Sequence, residues 1–158
     1  MSQVATPSRS AFGERLYQGL EALPGSQRFT AEQLEVIYAM GYAHIVQNQY
    51  AQALPVFAFL SQYGPTRKHY LSGLALCLQM EKRFEEALRI YSLVLTLFPD
   101  AADAAVSIAE CELALGQTEN ARRTLQGASA IAQENPAHAR AGERANALSR
   151  LLERQAQA

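Results

Sequence analysis

Small and large apolar residues recur along the chain at a constant spacing of 34 residues. The spacing is seen most clearly in three alanines, Ala53, Ala87 and Ala121. Two further series keep it, small residues before the alanines and large apolar residues after them: Gly41, Ala75, Ala109 and Phe57, Tyr91, Leu125. A repeat of this length is typical of stacked helix hairpins. The pattern predicts three such hairpins, at 34–67, 68–101 and 102–135.

The small residues have a direct physical role in a hairpin. Each repeat consists of a helix A and a helix B, and small side chains at their crossing keep the two axes about 8–10 Å apart. A period of 34 with small, aromatic and proline positions is that of the tetratricopeptide repeat. In helix A of the first repeat we expect Ile37 and Met40 to fill core positions.

Apolar residues at helical spacing predict two more helices outside the repeats. Residues 11–29 form an N-terminal helix and a linker, after a disordered segment at 1–10. Residues 136–158 form a last helix and tail that cap the third repeat. The chain is therefore predicted to be all-α, with three tandem tetratricopeptide repeats within residues 30–135, an N-terminal helix and a C-terminal capping helix.

Two local signals refine the first repeat. Thr30-Ala31-Glu32-Gln33 has the pattern of a capping box, which predicts a helix that starts directly after Thr30. Pro55 lies within helix B of the same repeat. Proline has no amide proton and crowds the preceding turn, so we expect Pro55 to bend this helix or to delay its start.

Composition and charge exclude several classes of function. The 158 residues are 49% hydrophobic and 18% charged, which supports a folded core, and the formal net charge is −1. Nucleic-acid-binding domains usually carry a basic excess, so no nucleic-acid partner is expected. No apolar run is long enough for a membrane span, and the N-terminus has no secretory pattern. We expect a cytoplasmic protein with reduced cysteines.

No constellation of residues predicts catalysis or a cofactor. His44 and His69 are 25 residues apart and lack a metal-binding motif. Cys77 and Cys111 are 34 residues apart and so hold equivalent positions in successive A helices. Buried filling of the core is the favoured interpretation for both cysteines, and a redox pair is the alternative. An enzyme, a metal site and a bound cofactor are therefore not expected.

The inner face of the A helices is the predicted binding site. Side chains spaced by three or four residues share a helix face, and the following are predicted to line a concave groove: Tyr38, Tyr42, Ile45, His69, Ser72, Leu76, Gln79, Val106 and Glu110. Tyrosine suits peptide binding because it offers a large contact area at low entropic cost. Tetratricopeptide domains that grip a terminal carboxylate use Lys and Asn where this chain has Tyr38 and Tyr42. A neutral, extended, apolar peptide is the expected ligand.

Three segments resemble one specific family of such proteins: Leu34-Glu35-Val36-Ile37-Tyr38, Gly73-Leu74-Ala75-Leu76-Cys77-Leu78-Gln79-Met80 and Ala109-Glu110-Cys111. With an N-terminal helix and three repeats, the chain resembles the class II chaperones of type III secretion translocators, the SycD, LcrH and IpgC family. The resemblance implies a bacterial cytosolic chaperone whose groove holds an extended segment, containing proline and leucine, of hydrophobic translocators. It also implies a role in this groove for Tyr50.

Two questions stay open at this point. A needle-subunit chaperone and a generic tetratricopeptide scaffold are alternative functions with the same repeats. The resemblance also implies a homodimer formed through N-terminal segments, and the apolar stripe of Phe12, Leu16 and Leu20 has no evident partner in the repeats. We expect this stripe to serve self-association or to pack across the first repeat.

Overall fold

Eight α-helices, joined by short turns, make up the part of the chain that the computed structural model describes, residues 8–158. Two short 3₁₀ turns, Pro24–Gln27 and Pro136–His138, precede the second and the last helix, and these residues contain no strand. The helices are α1 (Ala11–Glu21), α2 (Ala31–Val46), α3 (Tyr50–Tyr63), α4 (Lys68–Met80), α5 (Phe84–Leu97), α6 (Ala102–Ala114), α7 (Thr118–Glu134) and α8 (Ala139–Gln157). The predicted all-α tetratricopeptide fold is confirmed.

The repeats pack through their small residues. Helices α2 to α8 each pack against the next helix along the chain. The alanines of the 34-residue series are completely buried, as at Ala53, Ala87 and Ala121. At Gly41 a Cβ atom would lie only 2.9 Å from Cε2 of Phe57. The predicted close crossing of helix A and helix B is therefore confirmed.

Local signals set the helix ends. The hydroxyl of Thr30 accepts a hydrogen bond from the amide of Gln33 at 3.2 Å, and the Gln33 side chain accepts one from the amide of Thr30 at 2.9 Å. The capping box is therefore confirmed. Each A helix ends in a left-handed residue at the same repeat position, with φ of 57°, 62° and 75° for Asn48, Lys82 and Gly116.

Pro55 does not delay helix α3. The helix begins at Tyr50 and runs through Pro55 to Tyr63, so the expectation of a late start is wrong. Pro55 cannot donate to the carbonyl of Ala51, one turn earlier. Because both residues are exposed, water can satisfy that carbonyl group.

Helix α1 packs on the second repeat. Leu16 and Leu20 contact the hydrophobic cluster built from α4, α5 and α6. Gly13 permits the approach, since a Cβ atom there would lie 2.8 Å from the carbonyl oxygen of Thr96 in α5. The expectation that this stripe has no partner in the repeats is thus wrong. Periodicity identifies the stripe, but it does not indicate where a helix outside the repeats will dock.

The segment before α1 is only partly described. Residues 1–7 of the predicted disordered segment, 1–10, lie outside the described residues. The guanidinium of Arg9 donates to the carbonyl of Leu97 at 2.6 Å and lies over the ring of Tyr17. Ser10 caps the N-terminus of α1. Arg9 and Ser10 are therefore part of the fold, whereas Phe12 is 62% exposed.

Met40 does not fill a core position. Ile37 packs against the core as expected, but Met40 is 62% exposed. The physical reason is the position of α2 in the array: α2 is the first A helix, and α1 lies against α5 rather than over α2. Between residues 8 and 158, no helix has the length and apolar character needed to cross a membrane.

Candidate peptide-binding groove

A groove with a volume of about 490 Å³ lies along the A helices of the three repeats. Six of the ten predicted site residues line it: Tyr38, Tyr42, Ile45, His69, Ser72 and Leu76. The lining also contains Phe57, Lys68, Gly73 and Asp103. The groove thus belongs mainly to α2 and α4, with α6 contributing at one end.

Two tyrosines form an aromatic wall on α2. Tyr38 and Tyr42 are one helical turn apart, and their rings stack with centroids 6.0 Å apart. The edge-to-face contacts of Tyr38 with His69 and Phe57, at 4.8 and 5.8 Å, hold its ring in place. Tyr42 is 53% exposed. Tyr38 is therefore the fixed part of the wall, and Tyr42 presents free aromatic surface.

Phe57 and Gly73 form the floor of the groove, and the sequence analysis did not include them. Phe57 belongs to α3 and is completely buried as a residue, yet its ring borders the groove. A Cβ atom on Gly73 would lie 2.2 Å from Cε1 of this ring. A signal was available: Gly73 is a glycine in the interior of a predicted helix, where a conserved close approach is the usual reason to accept its helical cost.

The charged side chains of the lining are paired within the protein. Nε2 of His69 lies 2.7 Å from Oε1 of Glu35, and Nζ of Lys68 lies 3.3 Å from Oδ1 of Asp103. Both pairs join successive repeats. Exposed pairs of this kind stabilise the fold only slightly, but they balance the charge of the groove. The lining therefore suits a ligand without formal charge.

Glu35 has a second partner, which tunes its acidity. The hydroxyl of Tyr70 donates to Oε1 of Glu35 at 2.6 Å. This hydrogen bond, followed by that from His69, lowers the pKa of Glu35 below its ordinary value. Tyr70 is buried, and burial together with the same hydrogen bond raises its own pKa.

We predict that Tyr70→Phe raises the pKa of Glu35, because it removes the largest cause of the shift. A depressed folded pKa means that Glu35 stabilises the fold above its unfolded pKa, and that this contribution is lost as the pH falls through the folded pKa. Carboxyl NMR titration of both proteins measures the shift. Since Glu35 is exposed, the matching change in urea stability should stay below about 1 kcal/mol. An identical Glu35 titration in the two proteins would contradict this assignment.

Three predicted site residues lie at the third-repeat end, outside the groove lining. The carboxylate of Glu110 accepts hydrogen bonds from Gln79, at 3.1 Å, and from Arg144 of α8. The hydroxyl of Tyr91 donates to Oε1 of Gln79 at 2.9 Å. Val106 is completely buried in the cluster that joins α6, α7 and α8. The prediction that Val106 contacts a ligand is wrong, because α8 helps to close this end of the array.

Tyr50 also lies outside the groove lining. Its hydroxyl donates to Oδ1 of Asn48 at 3.1 Å, and its ring packs against the core of the first repeat near the turn between α2 and α3. Spacing alone could not distinguish Tyr50 from Tyr38 and Tyr42. Only the latter two lie on the face of α2 that borders the groove.

The two cysteines are buried and unbonded. Burial raises the pKa of Cys77 and of Cys111 to about 11. A thiol of this kind is protonated near neutral pH and therefore a weak nucleophile. Within residues 8–158 there is no cluster of three or more His, Cys, Asp or Glu side chains that would suit a metal ion.

Comparison with known families identifies the repeats independently. Two family models, both described as tetratricopeptide repeat, match residues 38–100 and 78–145. Among curated proteins, chaperone protein SicA of Salmonella typhimurium is 25% identical over 95 residues, which are 60% of this chain and 58% of SicA. The chain thus matches somewhat over half the length of this relative.

Solved structures of chaperones extend the similarity over most of the chain. PcrH of Pseudomonas aeruginosa, crystallised in complex with the chaperone binding region of PopD, is 26% identical. The match covers 81% of this chain and 96% of PcrH, with a TM-score of 0.77. A second PcrH complex, with the chaperone binding region of PopB, is 28% identical with a TM-score of 0.73 and covers 76% of this chain and 97% of PcrH.

Proposed function

Because this chain belongs to the tetratricopeptide-repeat chaperones of type III secretion translocators, we propose that it binds hydrophobic translocators in the bacterial cytosol before their export. The groove along the A helices is the proposed site. The proposed ligand is an extended segment of the translocator that contains proline and leucine. The activity is binding and release, without catalysis.

The observation that carries this proposal is the groove of about 490 Å³ with an aromatic wall and balanced charges. Tyr38 and Tyr42 offer stacked rings, while Ile45 and Leu76 add aliphatic surface. An extended apolar segment loses its exposure to water on entering such a groove, which favours binding by about 25 cal/mol per Å² of buried apolar surface. An acidic or basic peptide would gain little, because Lys68 and Asp103 already pair with each other.

The similarity to PcrH supports the same ligand class. PcrH forms complexes with the chaperone binding regions of PopD and PopB, and its fold matches this chain over the repeats that form the groove. Covering an exposed apolar segment limits aggregation. We propose that this chain keeps its translocators soluble in this way and prevents their premature pairing.

Co-expression tests the proposal directly. Each hydrophobic translocator of the same secretion system is expressed with and without this chain, and soluble yield and co-purification are measured. We expect the translocator to be insoluble alone and to be recovered as a soluble complex with the chaperone. A translocator that stays insoluble and does not co-purify would contradict the proposal.

The same assay separates the alternative functions. A needle-subunit chaperone would retain the needle subunit and not the translocators. A generic scaffold would retain neither of them. The needle subunit is therefore included as a third candidate ligand under identical conditions.

A further inference from the structure

The outward face of helix α2 carries an exposed apolar stripe, which we name the α2 stripe. Its large members are Val36, Met40 and Val46, which are 66%, 62% and 63% exposed. Ala39 and Ala43 lie between them and are exposed as well. Half of the large hydrophobic residues that are exposed within residues 8–158 belong to α2. The stripe spans about 15 Å along the helix axis.

The repeats show what this face does elsewhere in the array. Ala43 has its equivalents 34 and 68 residues later in Cys77 and Cys111, and both are completely buried. Cys77 belongs to the hydrophobic cluster that contains Phe57 of α3, and Cys111 to the cluster that contains Tyr91 of α5. In the second and third repeats this face of helix A therefore packs on helix B of the preceding repeat. Helix α2 has no preceding repeat.

Met40 supports the same conclusion. Its equivalents are Leu74, which packs against the core, and Ile108, which is buried. The α2 stripe is thus a core-forming surface left at the end of the array. Helix α1, which could have covered it, lies against α5 instead.

We propose that the α2 stripe is the contact between two copies of this chain, with the α2 helices paired antiparallel about a two-fold axis. A head-to-tail stack of copies would need an open helix B at the other end of the array. There, α8 packs on α7 and buries Ala132, Ala141 and Ala145. The described part of the surface holds no other helix with more than one exposed large hydrophobic residue. A two-fold pair buries both stripes at once and closes on itself.

Charge and size agree with this arrangement. In an antiparallel pair Val36 of one copy lies opposite Val46 of the other, and the alanines near the centre permit close helix approach. Glu32, at the start of α2, then lies near Gln47 of the second copy rather than near another carboxylate. The helix dipoles oppose each other, which is favourable. Because the stripe is narrow, the contact falls at the small end of protein interfaces, and we infer a dimer that depends on concentration.

Sedimentation equilibrium of the full-length chain across a wide concentration range tests the proposal. We expect the mass to rise from 17.3 kDa for one chain towards twice that value. Met40→Glu should weaken the association by about tenfold or more, since it places a charge in an apolar contact. Leu151→Glu is the matched control, because Leu151 is also exposed, at 53%, but lies on α8. It should leave the association unchanged.

A crosslink supplies a second measurement that does not depend on destabilising the contact. Met40 lies near the centre of the stripe, where a two-fold axis brings the same position of both copies together. Met40→Cys should form an intermolecular disulfide under mild oxidation, and Leu151→Cys should not. The native cysteines do not interfere, because both are buried.

Several outcomes would overturn the proposal. A protein that remains a monomer at every concentration and does not crosslink through Met40→Cys excludes it. A dimer that dissociates with Phe12→Glu but not with Met40→Glu assigns the contact to α1. A monomer in which Met40→Glu reduces retention of the translocator assigns the α2 stripe to the client. The proposed chaperone function is tested separately by co-expression and does not depend on these results.

Discussion

Gly73→Ala is expected to lower the free energy of unfolding by about 1 to 3 kcal/mol, the usual range for overpacking a core. The added Cβ atom would lie 2.2, 2.4 and 2.8 Å from three carbon atoms of the Phe57 ring. The ring cannot move away easily, because its opposite edge meets α2 at Gly41. Phe57 therefore fits between two glycines of successive A helices. Urea unfolding followed by circular dichroism measures the change.

Gly127→Ala is the matched control. Gly127 also lies within a helix, α7, but a Cβ atom there would have no neighbour within 4 Å. The same substitution should therefore stabilise the protein, by up to about 1 kcal/mol, through helix propensity alone. Equal effects of the two substitutions would contradict the role assigned to Phe57.

A second substitution can confirm the cause. Phe57→Leu shortens the side chain that the new Cβ atom meets. Combined with Gly73→Ala, it should cost less than the sum of the two single changes, because each relieves the other. A double-mutant cycle reports this coupling. Strict additivity would show that the clash does not determine the stability loss.

The repeated part of the fold could be predicted because the packing itself repeats. Ala53, Ala87 and Ala121 meet the same steric requirement three times, so one physical rule appears as a 34-residue period in the sequence. The groove residues of α2 and α4 follow from the same period, since helical spacing sets which side chains share a face. Tyr38 and Tyr42 were predictable for this reason.

Features outside the period could not be predicted in the same way. Helix α1 docks on α5 because Gly13 admits the carbonyl oxygen of Thr96, and no periodic signal specifies that contact. Val106 holds the same repeat position as Tyr38, but α8 closes its end of the array. Met40 has the pattern of a core residue and is exposed, because the array begins at α2.

Tyr42→Ala is expected to weaken translocator binding by about tenfold or more while leaving the fold intact. Tyr42 is half exposed in the unliganded groove, so its ring has surface available to a ligand. An aromatic hot spot of this kind contributes about 2 kcal/mol or more to binding, and about 1.4 kcal/mol corresponds to one decade in affinity. Titration calorimetry with a peptide from the extended segment of the translocator measures the loss.

Adding Tyr38→Ala to Tyr42→Ala removes the whole aromatic wall, and the loss of affinity should increase further. Tyr38 also packs against Phe57 and His69, so circular dichroism of the double variant must show retained helicity before its affinity is interpreted.

Tyr50→Ala provides the decisive comparison, because Tyr50 has the same side chain but lies outside the groove lining. The structure predicts unchanged affinity for Tyr50→Ala and reduced affinity for Tyr42→Ala. The reverse result would move the binding surface away from the groove of α2 and α4, since the two tyrosines differ in position and not in chemistry.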